Sequence, residues 1–137
     1  MMISTKGRYA LRIMIDLAQH EGEGYISLKD IAGRQNVSLK YLEMIAALLN
    51  KGRLVVSSRG KEGGYKLAKP KEEITVSEVM AITEGSLAPV ACLTRMDQTP
   101  CERADGCLTL PMWRHLDKLI EDYLSGISIA DLLSGNV

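Results

Sequence analysis

Residues 27–67, SLKDIAGRQNVSLKYLEMIAALLNKGRLVVSSRGKEGGYKL, decide the fold. Ser27-Leu-Lys-Asp30 is an S-x-x-D signal, in which a serine oxygen caps the free N–H groups of a starting helix. That helix is short, with Leu28, Ile31 and Ala32 as its apolar face. Arg34-Gln-Asn-Val37 reads as a turn. Ser38 caps a second helix whose apolar positions are Leu39, Leu42, Ile45, Leu48 and Leu49, ending at Gly52. The period then changes from helical to extended. Leu54-Val-Val-Ser-Ser58 and Tyr65-Lys-Leu-Ala68 are β-type runs, joined by the turn-rich Arg59-Gly-Lys-Glu-Gly-Gly64. Helix, turn, helix and hairpin in this order predict a winged helix-turn-helix, mainly α with a small β-hairpin.

Outward from this stretch, Tyr9, Ala10, Ile13, Met14, Leu17 and Ala18 form one apolar stripe on a helix that ends near His20. Downstream, Pro70 ends the hairpin, and Thr75-Val-Ser-Glu78 is a capping box for a helix through Val79, Met80 and Ile82 to Gly85. Residues 86–110 lack periodicity and hold Pro89, Pro100, Gly106 and all three cysteines. A loop of that length is uncommon unless it has a task. Pro111 fits the first position of a long helix carrying Trp113, Leu116, Leu119, Ile120, Tyr123 and Leu124 and ending at Gly126. Ser128-Ile-Ala-Asp131 opens a last short helix with Leu132 and Leu133. The expected division is a DNA-binding domain at 1–85, a cysteine loop at 86–110, and a long helix with a short one at 111–137.

Charge sharpens the division. The chain has 137 residues with 17 basic and 17 acidic side chains, and a net charge of zero speaks against a nucleic-acid binder. Residues 1–75, however, hold 13 basic and 8 acidic groups, a balance of +5, and residues 76–137 hold 4 and 9, a balance of −5. The zero is a sum over two unlike halves. Apolar runs fall short of the roughly 18 residues of a membrane span, and the start MMISTKGRYA has no apolar secretory core, so a cytoplasmic protein is expected.

In a winged helix-turn-helix the N-terminal residues of the second helix face base edges. Here these are Ser38, Lys40, Tyr41 and Glu43. Lys40 suits phosphate or guanine, Ser38 and Tyr41 suit phosphate oxygens, and Glu43 suits a cytosine amine. Arg59 and Lys61 sit on a glycine-rich tip that lets backbone approach a sugar–phosphate chain or a narrow minor groove. Each feature has a plainer reading: Ser38 caps its helix regardless, and Lys40, Lys51 and Lys66 can be a solvated face. The combination with a basic half favours double-stranded DNA. No nucleophile–base set, P-loop or G-x-G-x-x-G is present, which sets an enzyme aside.

The cysteines follow Cys92-x8-Cys101-x5-Cys107, with no C-x-x-C pair. Three thiolates on one loop suit a single iron–sulfur or zinc centre rather than magnesium or calcium. Three reduced thiols without metal, or a zinc-stabilised interaction module, are the alternatives.

The stretches STKGRYALRIMIDLA, SLKDIAGRQNVSLKYLEMI and SSRGKEGGYKL together resemble the Rrf-type winged-helix regulators, which include IscR-, NsrR- and RirA-like iron–sulfur sensing repressors. The resemblance covers essentially the whole chain. It implies a homodimer, paired through the helix at 111–125, on a palindromic operator. It places Ser38, Lys40, Tyr41, Glu43 and Arg59 at the DNA and Lys6 and Arg8 near phosphates. It also implies a cluster at Cys92, Cys101 and Cys107. Two departures matter. IscR-like members carry a histidine three residues after the last cysteine, where this chain has Leu110; some NsrR-like members use an aspartate where it has Arg8. With the long first gap, these favour a 4Fe–4S over a 2Fe–2S cluster. The fourth ligand would be Asp97, Glu102, Asp105, a partner-chain residue, water or a small thiol. His115 and His20 read as structural and surface residues. A cluster-free relative answering a metabolite or thiol oxidation is the alternative.

Overall fold

The computed structural model describes residues 3–94 and 101–137. Helix α1 (Thr5–Gln19) begins where Ser4 accepts a hydrogen bond from the Gly7 N–H and stops at His20. Gly7 has no side chain, so the Glu84 carboxylate can come close and accept bonds from the Ser4 N–H and hydroxyl at 2.9 and 2.6 Å. The predicted stripe is the spine of the core: Ala10, Ile13, Met14, Leu17 and Ala18 are all buried.

Helices α2 (Leu28–Gln35) and α3 (Leu39–Lys51) are capped by Ser27 and Ser38, as their sequence signals require. α2 runs two residues into the expected turn, which is made instead at Asn36, a left-handed position with φ of 54° that asparagine tolerates. Strand β1 (Val55–Ser58) pairs antiparallel with β2 (Gly64–Leu67), Val55 opposite Leu67 and Ser58 opposite Gly64. Ile26 adds a short third rung: its N–H and carbonyl bond those of Tyr65 at 2.8 Å, fastening the lead-in of α2 to the wing. The fold expected from the sequence, helices with one wing, is therefore the fold observed.

Helix α4 (Val76–Glu84) carries the Thr75–Glu78 capping box. After it come a four-residue helix α5 (Ala91–Thr94), a single 3-10 turn (Ala104–Gly106), α6 (Leu110–Ser125) and α7 (Ile129–Ser134). Pro111 is the second residue of α6 rather than its first; its missing N–H is equally harmless there. The second capping box, Ser128 with Asp131, starts α7. The Val76 N–H donates to the Ile127 carbonyl and the Ile129 N–H to that of Ile74, both at 2.9 Å, so the C-terminus is stitched to the start of α4. Ile31, Leu42, Ile45, Leu49, Ile74, Val79, Met80 and Ile129 complete the core with α1. Each such side chain contributes about 1.5–3 kcal/mol on burial.

Two apolar faces differ from the expectation. Leu39 is 41% exposed, because spacing gives the side of a helix but not how far along it a neighbour extends. α6 divides its apolar residues. Leu124 packs on the core and Trp113 and Ile120 are half-buried, whereas Met112, Leu116, Leu119 and Tyr123 stand exposed at 53%, 38%, 52% and 59%. Their spacing of i, i+4, i+7 and i+11 is a seam of the kind that pairs helices. Among the described residues, no helix is long and apolar enough to cross a membrane.

Candidate nucleic-acid interface and cysteine segment

α3 buries Leu42, Ile45, Ala46 and Leu49 against the core. That places Lys40, Glu43, Met44, Ala47 and Lys51 on the opposite, exposed face. The Ser38 hydroxyl accepts from the Tyr41 N–H at 3.2 Å, which leaves its own proton available to donate. Tyr41 is half-buried and meets Tyr9 edge-to-face, with ring centroids 5.7 Å apart and planes at 79°. The Arg12 guanidinium lies over the Tyr9 ring, 4.9 Å from its centroid. Because Tyr9 touches Tyr41, the start of α1 lies beside the start of α3. Lys6 there is half-exposed, and Arg8 is exposed, donating to the Thr5 hydroxyl at 3.2 Å.

Arg59 and Lys61 are both exposed at the hairpin turn, where Gly60 adopts φ of 113°. The turn closes with a Gly63 N–H to Gly60 carbonyl bond of 3.1 Å. α3 and the wing are joined through Leu54 and Val55, both buried in the same core.

Sequence patterning missed what holds this unit together. Asp16, on the core side of α1, is 1% exposed. Arg34 clamps it with two hydrogen bonds, Nε to Oδ2 at 3.0 Å and Nη2 to Oδ1 at 2.7 Å, and Gln35 Nε2 adds a third at 3.0 Å. Arg12 in turn bonds the side chain and carbonyl of Gln35. Burial pushes the Asp16 carboxyl upward, but the bonds from Arg34 and Gln35 outweigh it and hold the group below the usual carboxylate range. His20 closes the network, its Nδ1 2.8 Å from the Asp16 carbonyl and 3.5 Å from Oδ1. α1 is thereby tied to the last turn of α2, directly before the turn into α3. An aspartate on the apolar side of an amphipathic helix was the available signal.

The three cysteines are unpaired: Cys92 on α5 is half-buried, Cys101 exposed and Cys107 half-buried. Cys107 precedes α6, with Sγ 3.3 Å from the Thr109 hydroxyl. That contact, then the N–H groups of Thr109 and Leu110 and the nearby charge of Arg103, hold its thiol below the usual cysteine range. Leu110 is buried at the head of α6 and offers no ligand atom. Glu102 and Asp105 are exposed beside the cysteines, His115 is exposed on α6, and Asp97 lies outside the described residues. Among the described residues, no three His, Cys, Asp or Glu side chains are grouped to hold a metal ion. The donor chemistry nonetheless suits iron: three free thiols, one of them inclined to ionise.

Comparison with known proteins bears on the whole arrangement. The model of the Rrf2 family, described as an iron-dependent transcriptional regulator, matches residues 3–135. The chain is 42% identical over 134 residues to the HTH-type transcriptional regulator IscR of Photorhabdus laumondii, covering 98% of this chain and 80% of the relative. Among solved structures it resembles CymR, the global cysteine regulator of B. subtilis, with TM-score 0.79 and 38% identity over 98% of this chain and 97% of that one. It also resembles T. potens IscR, with TM-score 0.75 and 39% identity over 100% and 89% of the two chains. A capped helix-turn-helix with a wing and a family match over nearly its full length make this chain a member of the Rrf2 family of transcriptional regulators.

Proposed function

We propose that the chain is a homodimeric repressor that binds a palindromic double-stranded DNA operator, with affinity set by an iron–sulfur cluster on Cys92, Cys101 and Cys107. The observation that carries the DNA reading is the exposed face of α3, with Lys40 and Glu43, beside a wing that presents Arg59 and Lys61. Ser38 and Tyr41 complete the base-facing end, and Lys6 and Arg8 add phosphate contacts from α1. Residues 1–85 would form the DNA-binding unit, 86–110 the sensor segment and 111–137 the pairing unit.

Thiolates of the three cysteines would hold the cluster, 4Fe–4S in preference to 2Fe–2S since Leu110 supplies no imidazole. The bound cluster would supply an iron site sensitive to oxidants and to iron supply. The residues between α4 and α6 would be ordered by it, and a small rotation of one half-site reader against the other would change operator affinity. The acidic balance of residues 76–137 would limit attachment to random DNA.

Pairing is supported by the exposed seam on α6. Leu119→Asp places a charge in its centre, and the expected result is a folded monomer by sedimentation, with operator affinity reduced at least tenfold through loss of the second half-site. An unchanged dimer would refute this interface.

Anaerobic purification with absorption spectrum, iron and sulfide analysis and operator titration tests the whole reading. A brown protein with equal iron and sulfide is expected. Single Cys→Ala changes at 92, 101 and 107 are each expected to remove the colour and to shift operator affinity. A second reading is supported by the ungrouped cysteines, the ionisable Cys107 and the likeness to CymR: a cluster-free regulator answering thiol oxidation or a small metabolite. It predicts a colourless protein whose affinity changes with thiol oxidant; colourless protein containing zinc would instead indicate a structural metal.

A further inference from the structure

Met44 is the one large apolar side chain in the middle of the exposed face of α3, and at 46% it is more exposed than Leu39 at the end of the helix. It lies four residues from Lys40 and next to Glu43, so it shares their face. With Ser38, Lys40 and Tyr41 it lines a shallow depression of about 500 Å³. Its thioether donates no hydrogen bond and accepts only weakly, so it is mismatched with phosphate and with most of a base edge. The major groove presents hydrogen-bonding groups at every base pair and one apolar group, the C5-methyl of thymine. The flexible, polarisable methionine suits a small methyl approaching from the groove. Lys40 beside it supplies the positive charge that holds the surrounding backbone close.

We propose that Met44 is a specificity-determining residue that reads a thymine methyl in each half-site, seated in the depression formed with Tyr41 and Lys40. The assignment rests on the DNA-binding reading above and adds the base feature recognised. It also accounts for an apolar side chain left 46% exposed on a helix face.

The test uses anaerobically purified full-length protein and operator duplexes enriched by it from a random pool. Each thymine of the half-site is replaced in turn by deoxyuridine, which removes only the methyl group. At one position, affinity is expected to fall about fourfold, the worth of one buried methyl. Met44→Ala, a change an exposed helix position tolerates, is expected to bind the thymine and deoxyuridine duplexes equally at that position while still discriminating elsewhere. Met44→Leu is expected to keep the sensitivity. Indifference of the wild type to every deoxyuridine would overturn the assignment, as would sensitivity that survives in Met44→Ala. Self-association of the wild type that Met44→Ala abolishes would also overturn it, since the patch would then serve a second copy. Failure to enrich any duplex would overturn the DNA-binding reading itself and this inference with it.

Discussion

Arg34→Met is expected to lower the stability of the protein by about 3 kcal/mol at neutral pH. Asp16 is 1% exposed and would lose both guanidinium bonds, keeping only that from Gln35 and the edge of His20. A buried carboxylate left without its cation costs several kcal/mol. The Arg34 side chain is 37% exposed, so water reaches the vacated space and keeps the loss at the lower end of that range. The reverse change is milder for the same reason. With Asp16→Asn, Arg34 turns to solvent, and a loss of about 1–2 kcal/mol is expected.

The pH dependence separates this account from simple loss of packing. Asp16 titrates lower folded than unfolded, so its contribution is present above the unfolded carboxylate pKa and disappears as pH falls through the folded one. In Arg34→Met, burial acts on the carboxyl with its main opponent gone, and the group is expected to titrate higher than in the wild type. Acidification then neutralises a charge that hurts only the variant. The gap between wild type and Arg34→Met in urea unfolding is expected to shrink between pH 7 and pH 4. A gap that stays constant would sink the charge argument.

Gly64→Val is expected to cost about 3 kcal/mol and to detach the wing from the lead-in of α2. Gly64 has φ of 155°, and a Cβ placed there would lie 2.2 Å from the Ile26 carbonyl oxygen and 2.4 Å from its carbon. Those are backbone atoms already bonded to Tyr65, so they have nowhere to go. Gly60→Ala is the control: φ is 113°, but nothing lies within 4 Å of the added atom, so only the backbone strain of about 1 kcal/mol applies. Thermal unfolding gives the size of each loss. Hydrogen exchange at the Ile26 and Tyr65 amides gives its location, with protection lost in Gly64→Val and kept in Gly60→Ala. Equal losses from the two variants would mean that conformation, not the close approach to Ile26, makes Gly64 necessary.

The two variants also mark where reading the chain stops being enough. The glycines of RGKEGGY were legible as a turn, but not that Gly64 lies against the backbone of Ile26, which bridges to Tyr65 from before α2: that pairing is non-local, and no local pattern encodes it. Asp16 was legible only as a charge on the wrong side of a helix, since its partners come from α2. On α3, spacing assigned Leu39 to the core and passed over Met44, because a 3.6-residue period gives direction around a helix but not the reach of its neighbours. The same limit applies to α6, whose apolar residues form one face in sequence and two in space.

By itself the sequence determined the order and type of the elements. Ser4 aside, the caps at Ser27, Ser38, Thr75 and Ser128 and the stops at Gly52, Gly85 and Gly126 are local signals, each satisfied within one helical turn. The clustering of three cysteines and the basic half were also plain, being matters of composition and position in the chain. Only the tertiary structure decided which side chains remain uncovered, which charge is buried and clamped, and which backbone runs beside the wing. Those depend on distances between segments remote in the chain, and burial and pairing energies are set there, where the core of α1 to α4 closes around Asp16 and leaves Met44 facing out.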